Sequence, residues 1–451
     1  MTEGIKTGSS SLTDIDSALQ DISKQLIQDN ISLVILYFST CYLSDQPTSN
    51  GFDHLNISLQ QHFPDTTVIG CTTAGEIGCQ GYQQHSISAI SLSADYFQIS
   101  YTLYPNLSNL ELKHWRDNTV KLHSQHNSHY QLDDDSNTFS LLLVDGMSGH
   151  EEPLVRVLAN AISGIPLIGG SAGDDLQYDK AFVLHQGQIF NNSAILALIT
   201  TSLPFQIVKS QNIRASDKRM VVTEAIPEQR TITEINGRPA ALEYARHLGV
   251  TDCEQITIET LAAHPAVVVM GDAEYVRSIQ RVNPDNSLTF YCAIDVGIVI
   301  RIGYSIDLVQ SLEQTLNQVR EDITPIQGMI LFDCILRRVE LQEKQLLKQA
   351  SELLIGHRCV GFSTYGEQIN GLHVNQTCTG IAIGYPHNPQ QRGLFSAPFE
   401  SKDNPEDNIR NKNTQFKRSK STQENGELGQ SELERREQDR NSSFANSANR
   451  V

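Results

Sequence analysis

Apolar runs recur along the chain in three groups that share the same internal order. The first group contains VILYFST (34–40), VIGCTTAGEI (68–77) and SISAISL (86–92). The second contains SLLLVDG (140–146), PLIGGSAGDD (166–175) and SAILALI (193–199). The third contains GMILFDC (328–334), CVGFSTYGEQ (359–368) and CTGIAIG (378–384). Because these runs are continuously apolar, they predict buried strands in sheets that helices cover.

The stretch between the first and second run of each group has the period of an amphipathic helix. In the third group, Val339, Leu346, Ala350 and Leu353 fall on one face of a predicted single helix with Gly356 as its C-cap. Each group is therefore predicted to form a unit of strand, helix, strand, glycine-rich turn and strand. The predicted fold class is α/β, with sheets covered by helices and two domains built from these repeated units.

The glycine-rich runs are related to one another. Residues 69–76 (IGCTTAGE) and 360–367 (VGFSTYGE) match position by position, and 168–174 (IGGSAGD) matches with one residue fewer. Matched chemistry over so many positions indicates a common structural unit.

The polar stretch between the second and third groups suggests how the chain divides. Residues 205–235 are predicted to form a strand meander, with a turn at Asn236-Gly237 and a following helix, ALEYARHLG. We place an N-terminal segment at 1–30, a first domain at 31–225 and a second domain at 226–386. Residues 387–451 contain few apolar side chains and are predicted to form a disordered polar tail.

The formal net charge of −18 comes from the part of the chain before residue 400, because acidic and basic residues balance beyond it. An acidic surface repels phosphates, so nucleic acid and anionic lipid are not predicted partners.

The chain lacks an apolar run of about 18 residues and a signal-peptide pattern, so we expect no membrane insertion and a cytoplasmic location. The eight cysteines form no CxxC spacing, which excludes a zinc ribbon and covalently attached haem.

Polar residues cluster at the glycine-rich runs. Positive-φ positions in the turns are assigned to Gly75, Gly173 and Gly366. An acidic residue follows each of these glycines, namely Glu76, Asp174 and Glu367, and two more acids end first strands, namely Asp145 and Asp333. Such carboxylates either cap a turn or face a shared cleft, and the sequence leaves both readings open.

The chain lacks the common catalytic motifs, since GxxxxGK[ST], GxSxG and HExxH are all missing. Nothing places a nucleophile beside a base, so we predict that the chain is not an enzyme. The alternative is an enzyme that uses paired carboxylates.

Four stretches carry a family resemblance: GFSTYGEQINGLHVNQTCTGIAIG, VIGCTTAGEI, DGMSGHEEPLVRVLANAISGIPLIGGSAGDD and GMILFDCILRR. They resemble the FIST sensory proteins, which pair an N-terminal with a C-terminal FIST domain, over roughly residues 30–386. The resemblance implies ligand sensing in bacterial signal transduction. Members similar to this chain bind haem b, sense nitric oxide and regulate a partner histidine kinase. Other members are proposed to sense small metabolites such as amino acids, so a haem-free receptor is the alternative.

Haem needs one strong axial donor, usually a neutral imidazole, in a largely apolar pocket. We expect His373 to be this metal ligand, since it lies in the most characteristic block of the family, with His264 and His150 as alternatives. The candidates for holding a polar ligand are Glu76, Glu367, Asp145, Asp333 and Asn375. The sequence leaves open which signalling protein is the partner and whether the chain forms a homodimer.

Overall fold

A computed structural model describes residues 3–386 except 45–50, 110, 131–136, 252 and 271–272; the predicted tail at 387–451 lies outside the described residues. The helices are α1 (Ile15–Gln25), α2 (Cys41–Ser44), α3 (Gly51–His62), α4 (Leu112–His129), α5 (Glu151–Ala161), α6 (Ala240–Leu248), α7 (Ile258–Ala263), α8 (Leu308–Asp322), α9 (Ile335–Glu343) and α10 (Leu347–Gly356). The strands are β1 (Ile5–Ser10), β2 (Ile31–Phe38), β3 (Val68–Thr72), β4 (Glu76–Gly78), β5 (Gly81–Gln83), β6 (Ile87–Ser93), β7 (Phe97–Tyr104), β8 (Asn137–Asp145), β9 (Leu167–Ala172), β10 (Val183–His185), β11 (Gln188–Phe190), β12 (Ala194–Thr201), β13 (Phe205–Gln211), β14 (Ile213–Ile226), β15 (Thr231–Ile235), β16 (Arg238–Pro239), β17 (Ala266–Met270), β18 (Ala273–Arg277), β19 (Ile279–Val282), β20 (Leu288–Phe290), β21 (Val299–Ser305), β22 (Ile326–Cys334), β23 (Cys359–Thr364), β24 (Glu367–Ile369), β25 (Leu372–Val374) and β26 (Thr377–Gly384).

Each of the three apolar groups builds the centre of a six-stranded sheet. The strand orders are β1-β6-β2-β3-β10-β11, β25-β24-β9-β8-β12-β7 and β13-β26-β22-β23-β4-β5. Each sheet contains one parallel pair, β2 with β3, β8 with β9 or β22 with β23. Parallel neighbours need a crossover, which helices supply in all three units. The predicted α/β fold of helix-covered sheets is confirmed.

The glycine-rich turn of each unit leads into a short hairpin that joins the sheet of another unit. Hairpin β4–β5 of the first unit pairs with β23 of the third. Hairpin β10–β11 of the second unit pairs with β3 of the first, and β24–β25 of the third pairs with β9 of the second. Because this exchange is cyclic, the described residues form one interlocked body. The domain bounds at 31–225 and 226–386 stay predictions.

The region between the second and third units adds a fourth sheet, in which β16 lies beside β15 of the series β18-β17-β21-β14-β15-β20-β19. Helices α6 and α7 bury apolar residues against β14, β15 and β21. The predicted turn is present, with Asn236 at φ 54° and Gly237 at φ 71°. The predicted helix follows as α6 and ends at Gly249, which takes the left-handed conformation that favours glycine. None of the described helices has the length and apolar character needed to cross a bilayer.

A glycine at the same position in each unit lets the parallel strands approach closely. A Cβ atom on Gly70, Gly169 or Gly361 would lie 2.1, 2.1 or 1.8 Å from a backbone carbonyl oxygen of the neighbouring strand. No side chain fits at such distances. Close backbone approach therefore explains why the apolar residue at the start of each repeated run is followed by glycine.

We expect Gly169→Ala to lower the free energy of unfolding by about 1 to 3 kcal/mol, because the new methyl group would push the parallel strands apart. Gly356→Ala is the matched control, since a Cβ there would meet no atom within 4 Å and Gly356 is the last residue of α10. Denaturant unfolding of both variants measures the difference, and equal stabilities would contradict the expectation.

Two of the three turn glycines do not have the predicted conformation. Gly75 has φ +127°, whereas neither Gly173 nor Gly366 has a positive φ. Both are required by close packing instead: a Cβ on Gly173 would lie 2.8 Å from the amide nitrogen of Ala74, and one on Gly366 would lie 2.2 Å from Cε1 of His373.

The single helix predicted for the third unit is also wrong. The chain forms α9 and α10, with Gln345 at φ 57° between them. A left-handed residue breaks the helical hydrogen-bond series even where the apolar period continues.

Candidate functional site

The three glycine-rich turns meet one another, because each hairpin exchange draws a turn across another unit. The Ala74 amide donates to the Ser363 carbonyl (3.1 Å), and the Ser363 amide donates to the Gly75 carbonyl (2.7 Å). In the same way, the Tyr365 amide of the third turn donates to the Ser171 carbonyl of the second unit (3.1 Å). Residues far apart in sequence are thus held at one junction by backbone hydrogen bonds.

Glu76 lies inside this junction and is fully buried. Its carboxylate accepts from the Thr73 hydroxyl (2.5 Å) and from the hydroxyl and amide of Ser86 (2.6 and 3.2 Å). Burial raises the pKa of Glu76 to about 7, although these hydrogen bonds act in the opposite direction. Glu76 therefore ties the first turn to the strand that follows its hairpin.

Glu367 occupies the equivalent position in the third unit. It accepts from the Thr364 hydroxyl and from the hydroxyl and amide of Thr377 (2.7 and 3.2 Å). Burial raises the pKa of Glu367 to about 8, again against the hydrogen bonds. Glu76 and Glu367 thus form the same hydrogen bonds in their units, each connecting a glycine-rich turn with the start of the strand that follows the hairpin.

Asp145 ends β8 and shapes the loop that follows. One carboxylate oxygen accepts from the Met147 amide (2.8 Å) and the other from the Asn192 amide (2.5 Å). Burial raises the pKa of Asp145 to about 6, while these backbone hydrogen bonds lower it. Asp145 thereby fixes the start of the loop at 146–150, which lines a cavity.

Asp333 is the next-to-last residue of β22 and is completely buried. Its Oδ1 accepts from Arg337 Nε (2.6 Å), and its Oδ2 accepts from the Tyr82 hydroxyl (2.6 Å). Arg337 also donates to Asn212 (2.7 Å). The carboxylate of Asp333 therefore connects helix α9 with the hairpin β4–β5 received from the first unit.

A cavity of about 460 Å³ lies beside the third turn. Its volume is in the range of roughly 300–1,000 Å³ that is typical of small-molecule sites. The loop after β8, the start of α5, the turn before β15 and the end of β20 form its walls. The apolar and aromatic side chains that line it are Met147, Pro153, Tyr178, Pro227, Phe290, Tyr291 and Tyr365, and His150 lies among them. The polar side chains of the lining are Ser148, Glu228, Gln229, Arg230, Gln280 and Thr289.

Tyr178, Tyr291 and Tyr365 contact one another in the wall of the cavity. The ring of Tyr365 stacks on that of Tyr178, with centroids 5.0 Å apart, and its hydroxyl donates to Asp174. The Tyr178 hydroxyl pairs with that of Tyr291 (2.7 Å). Sequence reasoning missed these residues. One signal in the sequence could have indicated them: Tyr365 is a large aromatic residue at the position where the matched run of the first unit has Ala74.

Arg230, which sequence reasoning also missed, lines the same cavity. Its Nη2 donates to Glu151 (2.6 Å) and Glu152 (3.1 Å), and its Nη1 donates to the Tyr291 carbonyl (2.7 Å). Burial alone would lower the pKa of Arg230, but the two neighbouring carboxylates raise it. The cation therefore stays charged and is held by protein partners.

His150 is the candidate histidine that lines the cavity. Its Nδ1 lies 2.5 Å from the backbone carbonyl oxygen of Ser148. A carbonyl oxygen only accepts, which assigns the proton to Nδ1 and leaves the lone pair on Nε2. Metal-bound histidines are commonly oriented by such a hydrogen bond from the other ring nitrogen.

His373 has the opposite arrangement. Its Nδ1 lies 3.1 Å from the side-chain amide nitrogen of Gln368. The same nitrogen donates to the Gly366 carbonyl (3.4 Å), which shows that the nitrogen end of the Gln368 amide, not its oxygen, faces His373. The amide donates to Nδ1, which assigns the proton to Nε2. Burial lowers the pKa of His373, and Nε2 has no hydrogen-bond partner. A Cβ on Gly366 would lie 2.5 Å from Nε2, so a protonated nitrogen faces packed backbone and does not fit an iron ligand.

The remaining candidates lie apart from the cavity. His264 caps α7 and contacts the Gly303 carbonyl through Nδ1 (3.3 Å). Asn375, close to His373, accepts from the Ser278 amide (3.4 Å). In the described parts of the chain, no group of three or more His, Cys, Asp or Glu side chains is arranged to hold a metal ion. Of the predicted site residues, Asp145 and His150 are thus the two associated with the cavity.

Two family models match most of the described chain. Residues 32–238 match the FIST N domain, and residues 240–370 match the FIST C domain. An uncharacterized protein of Methanocaldococcus jannaschii is 22% identical over 386 residues, which cover 77% of this chain and 73% of that protein.

Two solved structures are distantly similar. A cyanuric acid hydrolase from A. caulinodans has a TM-score of 0.35 and 8% identity, over 85% of this chain and 100% of that one. A chorismatase has a TM-score of 0.31 and 6% identity, over 84% of this chain and 99% of that one. Similarity at this level says nothing about the activity of this chain.

Proposed function

We propose that this chain, which belongs to the FIST-domain proteins, is a sensor whose ligand binds in the cavity beside Tyr365. FIST domains are associated with sensing in signal transduction. The observation that carries the proposed location is an imidazole with a free Nε2 lone pair in an aromatic-lined cavity of about 460 Å³. The FIST N domain contributes His150 and the FIST C domain contributes Tyr291, so a ligand there would contact both.

Haem b is the cofactor that we propose for this cavity. Its requirements are one axial imidazole and largely apolar walls, which His150 and the rings of Tyr178 and Phe290 would supply. When bound, haem would supply an iron that can bind nitric oxide. His150 replaces His373, the ligand expected from the sequence, as the residue that would hold the haem iron, because the proton on Nε2 and close packing disfavour His373.

We propose that ligand binding regulates a partner histidine kinase, as the family resemblance implies. The position of His150 supports a route for the signal, since it is the N-cap residue of α5. Helix α5 packs against β25 of the exchanged hairpin. A displacement of the His150 backbone would therefore move a helix that contacts the third unit.

A haem-free receptor for a small metabolite, such as an amino acid, is the second candidate. It is favoured by the polar groups in the same walls, namely the paired hydroxyls of Tyr178 and Tyr291 and the guanidinium of Arg230. In both cases we propose a receptor without catalytic activity. This is supported by Glu76 and Glu367, whose carboxylate oxygens are taken up by hydroxyl and amide donors.

We expect His150→Ala to bind haem at least roughly tenfold more weakly than the wild type, because the variant lacks the proposed axial donor. Titration of haem into the purified full-length chain, followed by the Soret absorption, measures the affinity. His264→Ala is the matched control and should bind haem as the wild type does. Equal affinities of the His150 variant and the wild type would contradict the assignment.

The metabolite alternative has its own measurement. A ligand at 100 times its dissociation constant should raise the free energy of unfolding by about 2.7 kcal/mol. Thermal unfolding across an amino-acid panel would reveal such a ligand. A stabilising amino acid together with no haem binding would decide for the haem-free receptor.

A further inference from the structure

Helix α9 carries two adjacent buried arginines with different surroundings. Arg337 donates to Asp333 (2.6 Å) and to Asn212 (2.7 Å), although its Nη2 is also buried without a hydrogen-bond partner. Arg338 is 3% exposed, its Nη1 is enclosed without a hydrogen-bond partner, and its guanidinium forms no ion pair with the residues that the structure describes. A buried guanidinium nitrogen without a hydrogen-bond partner is costly, and native proteins rarely leave one unsatisfied.

The guanidinium of Arg338 lies against the first glycine-rich turn. A Cβ on Gly75 would be 1.8 Å from its Nη1, so only glycine permits this approach. On another side, the ring centroid of Tyr82 is 5.7 Å from Arg338 Cζ. Burial lowers the pKa of Arg338, outweighing the opposite effect of Glu76. Glu76 thus favours the charge of Arg338, but its carboxylate forms no ion pair with the guanidinium and accepts hydrogen bonds from hydroxyl and amide groups instead.

Two other polar atoms near the same turn are buried and unpartnered: Oδ1 of Asp175 and Oγ of Ser363. Both residues belong to the junction through their backbones, because Asp175 donates to the Thr73 carbonyl (3.0 Å) and Ser363 donates to the Gly75 carbonyl (2.7 Å). The Asp175 carboxylate also contributes to the electrostatic field at Arg338. Three unsatisfied groups at one junction indicate a site for a polar occupant.

We propose that Arg338 is a binding residue for the carboxylate group of a small organic anion at the junction of the glycine-rich turns. A guanidinium presents paired N–H donors that match the two oxygens of a carboxylate. Nearby Asp175 is negatively charged, which favours a singly charged carboxylate over a doubly charged phosphate. This site is distinct from the cavity at His150 and does not depend on haem.

Thermal unfolding of the full-length chain in Tris chloride, with sodium acetate replacing sodium chloride at constant ionic strength, tests the site. We expect acetate to raise the melting temperature of the wild type saturably, by roughly 2 °C or more. Inorganic phosphate should have a smaller effect. Arg338→Met should not respond to acetate, and without acetate it should be at least as stable as the wild type, because it lacks the unpaired cation.

Arg337→Met is the matched control, since the same substitution one residue earlier leaves Asp333 without its cation. It should melt at a lower temperature in every buffer. No acetate response in the wild type, or an equal response in Arg338→Met, would show that only water occupies the site. A larger response to phosphate would contradict the carboxylate assignment. An Arg338→Met variant that is less stable than the wild type without acetate, or that does not fold, would show that Arg338 is structural.

Discussion

Asp333→Leu is expected to lower the free energy of unfolding by about 3 to 5 kcal/mol, the usual cost of removing one partner of a buried ion pair. Asp333 and Arg337 are both fully buried, and their atoms are 2.6 Å apart. The leucine would leave the Arg337 cation without its counter-charge and the Tyr82 hydroxyl without its acceptor. Urea unfolding of the full-length chain measures the change.

The matched control is Lys6→Met, which breaks an ion pair to Glu3 at the surface. Both partners are about one-third exposed, with side-chain exposures of 37% and 34%. Pairs of this kind contribute about 0 to 1 kcal/mol, so this variant should unfold almost as the wild type does. If Asp333→Leu changed the free energy of unfolding as little as Lys6→Met, the contacts of Asp333 with Arg337 and Tyr82 would not stabilise the fold. The ligand-binding role expected from the sequence would then explain Asp333 better.

Stability should fall as the pH rises from 6.5 to 8, because two buried glutamates lose their protons in this range. Burial raises the pKa of Glu76 to about 7 and that of Glu367 to about 8, from 4.5 for an unperturbed glutamate. The folded state therefore holds protons that the unfolded chain has released. This stabilisation is fully present below pH 4.5 and is lost as the pH rises through the folded pKa values. Glu367 alone should account for about 2 kcal/mol of the decline.

Glu367→Gln should remove that part of the pH dependence. The amide stays neutral, and its oxygen and nitrogen can bond the same threonine hydroxyls. Buried His126, whose pKa burial lowers from 6.5 to about 4, is still half protonated in the unfolded chain at pH 6.5, so it adds a smaller slope of the opposite sign, which is the same in the wild type and in Glu367→Gln. Glu343→Gln, at an exposed position, is the control and should keep the wild-type slope. Identical slopes for Glu367→Gln and the wild type between pH 6.5 and 8 would contradict the expectation.

The units could be predicted from the sequence because their strands are long apolar runs and their glycine-rich segments match. The hairpins that the units exchange could not be predicted. Strands such as β4 and β24 have only three residues, too few to show an alternating period. Their pairing depends on a partner far away in sequence, and Glu367 opposite Gly170 is one example. Cyclic exchange is therefore a tertiary property without a local signal.

The site was predictable only in part. Asp145 and His150 were candidates, and both are associated with the cavity. The preference for His373 followed the family block, but which ring nitrogen keeps its lone pair depends on a contact with Gln368 that only the fold reveals. Arg230 lies between the second and third units, so no matching position in another unit pointed to it as a site residue.

The absorption spectrum of the haem-loaded, full-length protein before and after addition of nitric oxide tests the proposed sensing function most directly. We expect a Soret band that shifts with nitric oxide in the wild type and in His264→Ala, and no such response in His150→Ala. A wild-type protein that stays colourless when haem is supplied in excess, or a His150→Ala variant with the same spectra as the wild type, would contradict the proposed haem site.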